Sequence, residues 1–203
     1  MMCYSQNDSL NLKKDTMKRL DSNKFKDLPL DNNRNKIRST SDETFYRTDK
    51  ERIRVSSYSG RIGIEKEDIN TPYGSVEVYS EKTKSLLLEG KIFSRNIKIE
   101  IWKEYDENGE LIKETDWDSG YQFSIDSLIE KMKKEYDIDV LNRENTWVYR
   151  SYGEEKFYEV GDRRNYPTDW FLLDGNTGAL LYRAFLEEDD EALYEQYVKY
   201  LKK

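Results

Sequence analysis

Beyond residue 44, apolar and polar residues alternate in short runs. Phe45-Tyr46-Arg47, Arg52-Ile53-Arg54-Val55 and Arg61-Ile62-Gly63-Ile64 are separated by polar or glycine-containing turns, which predicts short antiparallel strands. The clearest stretch runs from Tyr73 to Thr115, with strands predicted at Val76–Tyr79, Ser85–Gly90, Ile97–Trp102 and Leu111–Glu114. Asp106-Glu107-Asn108-Gly109 is a hairpin turn, because Asn-Gly tolerates positive φ at both central positions. Strict alternation places Ile97, Ile99 and Ile101 on one face and Lys98, Glu100 and Trp102 on the other, so a sheet covered on one side is expected.

The period then changes. Ile125, Leu128, Ile129, Met132 and Tyr136 recur at helical spacing, Ser124 is a natural N-cap and Phe123 can pack onto Leu128, which predicts an amphipathic helix with a core-facing stripe. Three further strands follow at Thr146–Tyr149, Lys156–Val160 and Asp169–Leu173, and the turn Asp174-Gly175-Asn176-Thr177-Gly178 leads into a fourth at Ala179–Arg183. Leu193, Tyr197, Val198 and Leu201 share one face of a closing helix, with acids before it and Lys202-Lys203 at its end, as the helix dipole favours. Residues 1–44 are different: dense in Asn, Asp, Ser, Lys and Arg, with isolated apolar positions, they read as a polar, partly disordered leader. A short helix near Asp15–Leu20 fits there, and Phe25, Leu28 and Leu30 can dock as an arm. The expected class is α+β, in three parts: the leader (1–44), a hairpin-rich antiparallel sheet (45–122), and a helix-plus-antiparallel-sheet module closed by a C-terminal helix (123–203).

Composition narrows the chemistry. Charged residues (37%) outnumber hydrophobic ones (36%), so the core has to draw on the large areas of 16 Tyr, 7 Phe and 4 Trp. A net charge of -7 disfavours nucleic-acid phosphates and anionic lipid and favours basic protein surfaces. The chain has no histidine, which removes the usual neutral-pH general base, Ser-His and Cys-His nucleophile pairs, and nearly every catalytic zinc site. A non-enzymatic protein without cofactor or metal is expected. The single cysteine, Cys3, excludes an internal disulfide. As the sequence stands it reads as cytoplasmic. Alternatively, Met1-Met2-Cys3-Tyr4-Ser5 resembles the start of a mature bacterial lipoprotein, with Cys3 the lipidation site and the only route to a membrane.

Two local resemblances add to this. Ile101-Trp102-Lys103-Glu104-Tyr105-Asp106-Glu107-Asn108-Gly109-Glu110-Leu111-Ile112 resembles one unit of the membrane-occupation-and-recognition-nexus (MORN) hairpin repeat, and a fainter copy precedes it by about 26 residues, too few units for a solenoid. Asp174-Gly175-Asn176-Thr177-Gly178-Ala179-Leu180-Leu181, with Phe157-Tyr158-Glu159-Val160 before it, resembles the ending of a PepSY-like domain. The combination is similar to immunity-type proteins of Bacteroidetes-type bacteria. It implies an antitoxin or immunity protein that binds a cognate secreted toxin; the alternative is an exported lipoprotein that binds peptide or envelope components through its PepSY-like part.

Several residues are candidates on chemistry alone. Trp102, Tyr105, Trp117 and Tyr121 are the amphipathic aromatics that anchor interfaces, although core packing accounts for such residues equally well. Glu187, Glu188, Asp189, Asp190 and Glu191 form a run that reads as a solvated helix start, or as a decoy for a toxin's basic cleft. Asp116 and Asp118 flank Trp117 and suggest a carboxylate pair, with solvated strand-end acids as the plainer reading. Asp174 and Asn176 resemble part of a calcium loop, but Phe185 stands where the closing glutamate belongs, so a turn is expected.

Overall fold

The computed structural model describes residues 17–21, 23–33, 42–164, 166–187 and 192–202. Seven antiparallel strands follow one another in chain order in a single meander. They are β1 (Glu43–Arg47), β2 (Glu51–Tyr58), β3 (Arg61–Asp68), β4 (Tyr73–Ser80), β5 (Leu86–Phe93), β6 (Ile97–Tyr105) and β7 (Leu111–Asp116). Helix α1 (Ile125–Tyr136) comes next, then a four-stranded antiparallel sheet of β8 (Thr146–Arg150), β9 (Phe157–Asp162), β10 (Thr168–Asp174) and β11 (Leu180–Leu186), and finally α2 (Leu193–Leu201). The described residues are thus mostly antiparallel sheet with these two helices, in keeping with the α+β class expected from the patterning. No described helix is long and apolar enough to cross a membrane.

Helix α1 starts where the sequence places it: Ser124 Oγ accepts from the backbone N–H of Ser127 at 3.1 Å. Its stripe Ile125, Leu128 and Met132 meets Phe93, Ile97 and Ile99 of the first sheet and Val148, Tyr158, Val160, Phe171 and Leu173 of the second. One core therefore joins the two sheets, and each fully buried Leu or Met in it contributes about 1.5–3 kcal/mol. Helix α2 covers the opposite face of the second sheet through Leu193, Tyr194 and Tyr197 against Leu172, Tyr182 and Leu186.

The arm docks, but not as a helix. Residues 18–20 run extended beside the β4–β5 turn, where Leu20 N–H donates to Lys84 O and Leu86 N–H to Lys18 O. Phe25 is buried against Ile53, Ile64, Tyr79 and Leu86 and stacks on Tyr46 at 5.8 Å. Leu28 joins that cluster, whereas Leu30 stays 54% exposed and pairs through its backbone with β1. Lys18 reaches Glu77 (2.7 Å) and Glu89 (3.1 Å) on the sheet. Partial burial opposes the charge on Lys18, but the two carboxylates outweigh it and raise its pKa; burial likewise opposes Glu77 and Glu89, and Lys18 nets both carboxyls downward.

The strict alternation expected of β6 breaks at Glu100, whose φ is +57°. Ile99 pairs with Lys91 and Lys103 with Glu89, so residues 100–102 bulge opposite the single residue Gly90. The bulge leaves Ile101 out of the buried row: Ile97 and Ile99 are buried and Ile101 is 52% exposed, while Trp102 keeps the face of Lys98, as alternation expects, and is buried there. The second face is not bare either, since Val78, Ile92 and Trp102 are all buried there.

Candidate binding surface at the β6–β7 corner

Asp106 builds the β6–β7 turn. Its Oδ1 accepts from the N–H groups of Asn108 (2.9 Å) and Glu110 (2.8 Å), and Gly109 takes φ +82°. The Glu110 N–H, followed by the Asn108 donors, holds the Asp106 carboxyl below its usual range. The hairpin brings Trp102, Tyr105 and Trp117 to the walls of one groove of about 670 Å³, together with Val78, Leu88 and Ile112. Both signs of charge line it as well: Arg61, Lys98 and Lys113 with Glu104, Asp106 and Glu107.

Trp102 is chiefly a packing residue. Its indole lies on Gly90, where a Cβ would stand 2.2 Å from the ring, and its Nε1–H donates to Lys91 O at 2.9 Å. Lys98 Nζ sits 4.6 Å from the Trp102 ring centre and 4.4 Å from that of Trp117, and Trp117 meets Tyr152 edge-on at 5.2 Å. Tyr105 donates its hydroxyl to Glu89 at 2.8 Å on the arm side of the sheet. Tyr121 is not part of this groove. It stacks under the Arg150 guanidinium at 3.8 Å and donates to Ser151 O, and burial pushes its phenol pKa up.

The groove opens beside an edge strand. β7 ends the seven-stranded sheet, and Leu111 (49%) and Ile112 (64%) are exposed on it, while exposed Ile101 of β6 lies at the other end of the hairpin, opposite Asp116. At the opposite edge the arm lies along β1, with Asp31 N–H donating to Phe45 O and Arg47 N–H to Pro29 O. Leu111 and Ile112 were absent from the candidates read in the sequence, because periodicity identifies a strand but not its place at the edge of a sheet.

Asp116 and Asp118 do not form a catalytic pair. Asp116 Oδ1 accepts from the Asp118 N–H, closing the turn after β7. Asp118 Oδ2 accepts from the Glu100 N–H at 2.9 Å and its Oδ1 pairs with Arg150 at 2.7 Å, so this carboxylate holds the β6 bulge and anchors the second sheet to the first. It is more than the solvated strand-end acid expected. Arg150, with a fully covered side chain, also donates to Lys98 O and Trp117 O. Arg143 makes a second tie, pairing with Glu67 and donating to Asp68 O and Thr71 O. Beside Arg150 lies a hollow of about 200 Å³ lined by Tyr73, Glu100, Asp118, Tyr121, Asp126 and Tyr158. There Tyr73 donates to Asp126, and burial pushes its phenol up to about 12.

Asp174 acts as a turn residue. Its Oδ1 accepts from the N–H groups of Asn176 and Thr177 and from the Thr177 hydroxyl, which lowers its pKa, with the Thr177 N–H the main cause. Gly178 (φ +69°) lies against Phe123, where a Cβ would stand 2.5 Å from the ring. Phe185 is 61% exposed. Among the described residues no group of three or more His, Cys, Asp or Glu side chains is placed to hold a metal ion. Glu187 is exposed at the end of β11, while Glu188, Asp189, Asp190, Glu191 and Cys3 lie outside the described residues.

The fold and this corner define an all-antiparallel two-sheet protein with an apolar, mixed-charge edge. Comparison with protein-family models, with curated proteins and with solved structures finds no match.

Proposed function

We propose that this chain is an immunity-type binding protein that neutralises a cognate protein toxin by covering its active site or another surface it needs, with the β6–β7 corner as the contact. The carrying observation is the exposed aliphatic pair Leu111 and Ile112 on the edge strand, beside a groove that mixes aromatic rings with charges of both signs. That mixture is the anatomy of a non-obligate interface, where aromatic anchors sit inside a polar rim. An edge strand also offers backbone N–H and C=O groups to which a partner can add a strand. The net charge of -7 favours encounter with a basic partner.

The test is co-expression with the product of each adjoining gene, scored by co-purification and by protection of cells from that product. Leu111→Arg and Ile112→Arg, both at exposed positions of β7, are expected to weaken the complex at least about tenfold, or 1.4 kcal/mol, with unchanged far-ultraviolet circular dichroism. Absence of binding and protection defeats the immunity reading. Wild-type affinity in both variants moves the interface elsewhere.

A further inference from the structure

The outer face of the four-stranded sheet carries an aromatic surface used neither by the shared core nor by the β6–β7 groove. Antiparallel register aligns Trp147 of β8, Gly161 of β9 and Trp170 of β10 in one row, and Tyr149, Glu159 and Leu172 in the next. Val148, Tyr158, Val160 and Phe171 point the other way, into the core. Gly161 lets Trp170 lie flat on the sheet, since a Cβ there would stand 3.1 Å from three atoms of the six-membered ring. Trp147 flanks that ring at 5.9 Å, and Tyr149 lies beside it at 6.0 Å with the planes only 24° apart. The three rings tile a platform. Helix α2 covers the β10–β11 half of this face, Glu159 accepts from its Tyr194 N–H, and Tyr149 remains 43% exposed on the β8 side.

Among the described residues the polar groups at the platform are unspent. The Arg163 guanidinium lies 4.2 Å from the Trp147 ring centre and makes no ion pair among the described residues. The indole N–H groups of Trp147 and Trp170 and the Tyr149 hydroxyl likewise have no hydrogen-bond partner among the described residues.

We propose that this platform binds a proline-rich segment of another protein, carrying an acidic residue beside its prolines. Prolyl rings offer flat C–H faces to aromatic rings, and a polyproline II segment loses little entropy on docking because it is already extended. Such a segment leaves its carbonyls unpaired, and the platform supplies indole and phenol donors for them. Arg163 selects the acidic neighbour through a charge-assisted hydrogen bond. An amphipathic helix needs a groove rather than a flat face, and an added strand needs an edge. Single-stranded nucleic acid also stacks on aromatic rings, but it demands a basic track, which one guanidinium on a chain of net charge -7 does not provide.

The experiment is a titration of the full chain followed by the four indole N–H resonances, with Trp147 and Trp170 assigned through Trp147→Phe and Trp170→Phe. The probes are a short synthetic proline-rich peptide ending in glutamates, its glutamine counterpart, a control with every proline changed to alanine, and a neutral oligosaccharide. Saturable shifts of Trp147 and Trp170, but not of Trp102 and Trp117, are expected with both proline peptides. Trp170→Ala should weaken binding about tenfold or more. Tyr149→Ala, at an exposed position where folding is not at stake, should weaken it about threefold. Arg163→Gln should weaken only the acidic peptide, by about fivefold. The proposal is overturned if neither platform indole moves, if the alanine control shifts them equally, or if only the oligosaccharide does. None of these outcomes bears on the β6–β7 corner, so the two surfaces stand or fall separately.

Discussion

Replacing Arg150 with alanine tests whether the two sheets are tied together through a buried guanidinium. Its side chain is fully covered and meets Asp118 at 2.7 Å, Trp117 O at 2.8 Å, Lys98 O at 3.3 Å and the Tyr121 ring at 3.8 Å. Truncation leaves both carbonyls without this donor, at about 1 kcal/mol each. It also removes a stacked cation worth about 0.5–1 kcal/mol. The ion pair itself counts for little over 1 kcal/mol, because the Asp118 side chain is 47% exposed and rehydrates once released. The total is about 3–4 kcal/mol, at the lower end of what breaking a fully buried pair costs. For a chain of this length, that lowers Tm by roughly 6–16 °C. Urea and thermal unfolding followed by circular dichroism measure it, with Arg150→Lys expected to fall between wild type and Arg150→Ala. A loss below about 1 kcal/mol for Arg150→Ala would refute the reasoning, since a surface ion pair alone accounts for that much.

Three further outcomes follow from the same contacts. Gly90→Ala puts a methyl group 2.2 Å from the Trp102 indole and should destabilise by about 1–3 kcal/mol, read from the urea midpoint together with a shift in tryptophan emission. Asp118→Asn keeps one acceptor for Glu100 but loses the charge facing Arg150, so it should cost about 1–2 kcal/mol and combine less than additively with Arg150→Ala. Docking of the arm is pH-dependent at both ends. The carboxyls of Glu77 and Glu89 are lowered in the folded chain, so their contribution is complete above the unfolded carboxylate pKa of about 4.3 and is lost as pH falls through the folded values. Lys18 is raised, so its contribution is complete below the unfolded lysine pKa of about 10.4 and is lost as pH rises through the folded value. Limited proteolysis near Leu20 should therefore speed up in acid for wild type, whereas Lys18→Met should flatten that dependence.

Local chemistry determined much of this chain. The helix stripe Ile125, Leu128 and Met132 with its Ser124 cap, the Asn108-Gly109 hairpin and the Asp174–Gly178 turn needed only spacing and turn preferences, because the interactions that specify them span a few residues. The strands of both sheets were legible for the same reason. Where the sequence misled, the deciding contact lay far along the chain. Ile101 left the buried row of Ile97 and Ile99 at the place where the Asp118 carboxylate, eighteen residues on, holds Glu100 in a positive-φ bulge. Lys18 left the expected helix because its partners are Glu77 and Glu89 on the sheet. Tyr121 parted from the other aromatics to stack on Arg150. The candidate surfaces needed the tertiary structure most of all: the patterning marks Leu111–Glu114, Thr146–Tyr149 and Asp169–Leu173 as strands, but only assembly makes β7 an edge and brings Trp147 and Trp170 together over Gly161. Periodicity is a property of neighbours in sequence, whereas edges, bulges and platforms arise from pairing between distant segments.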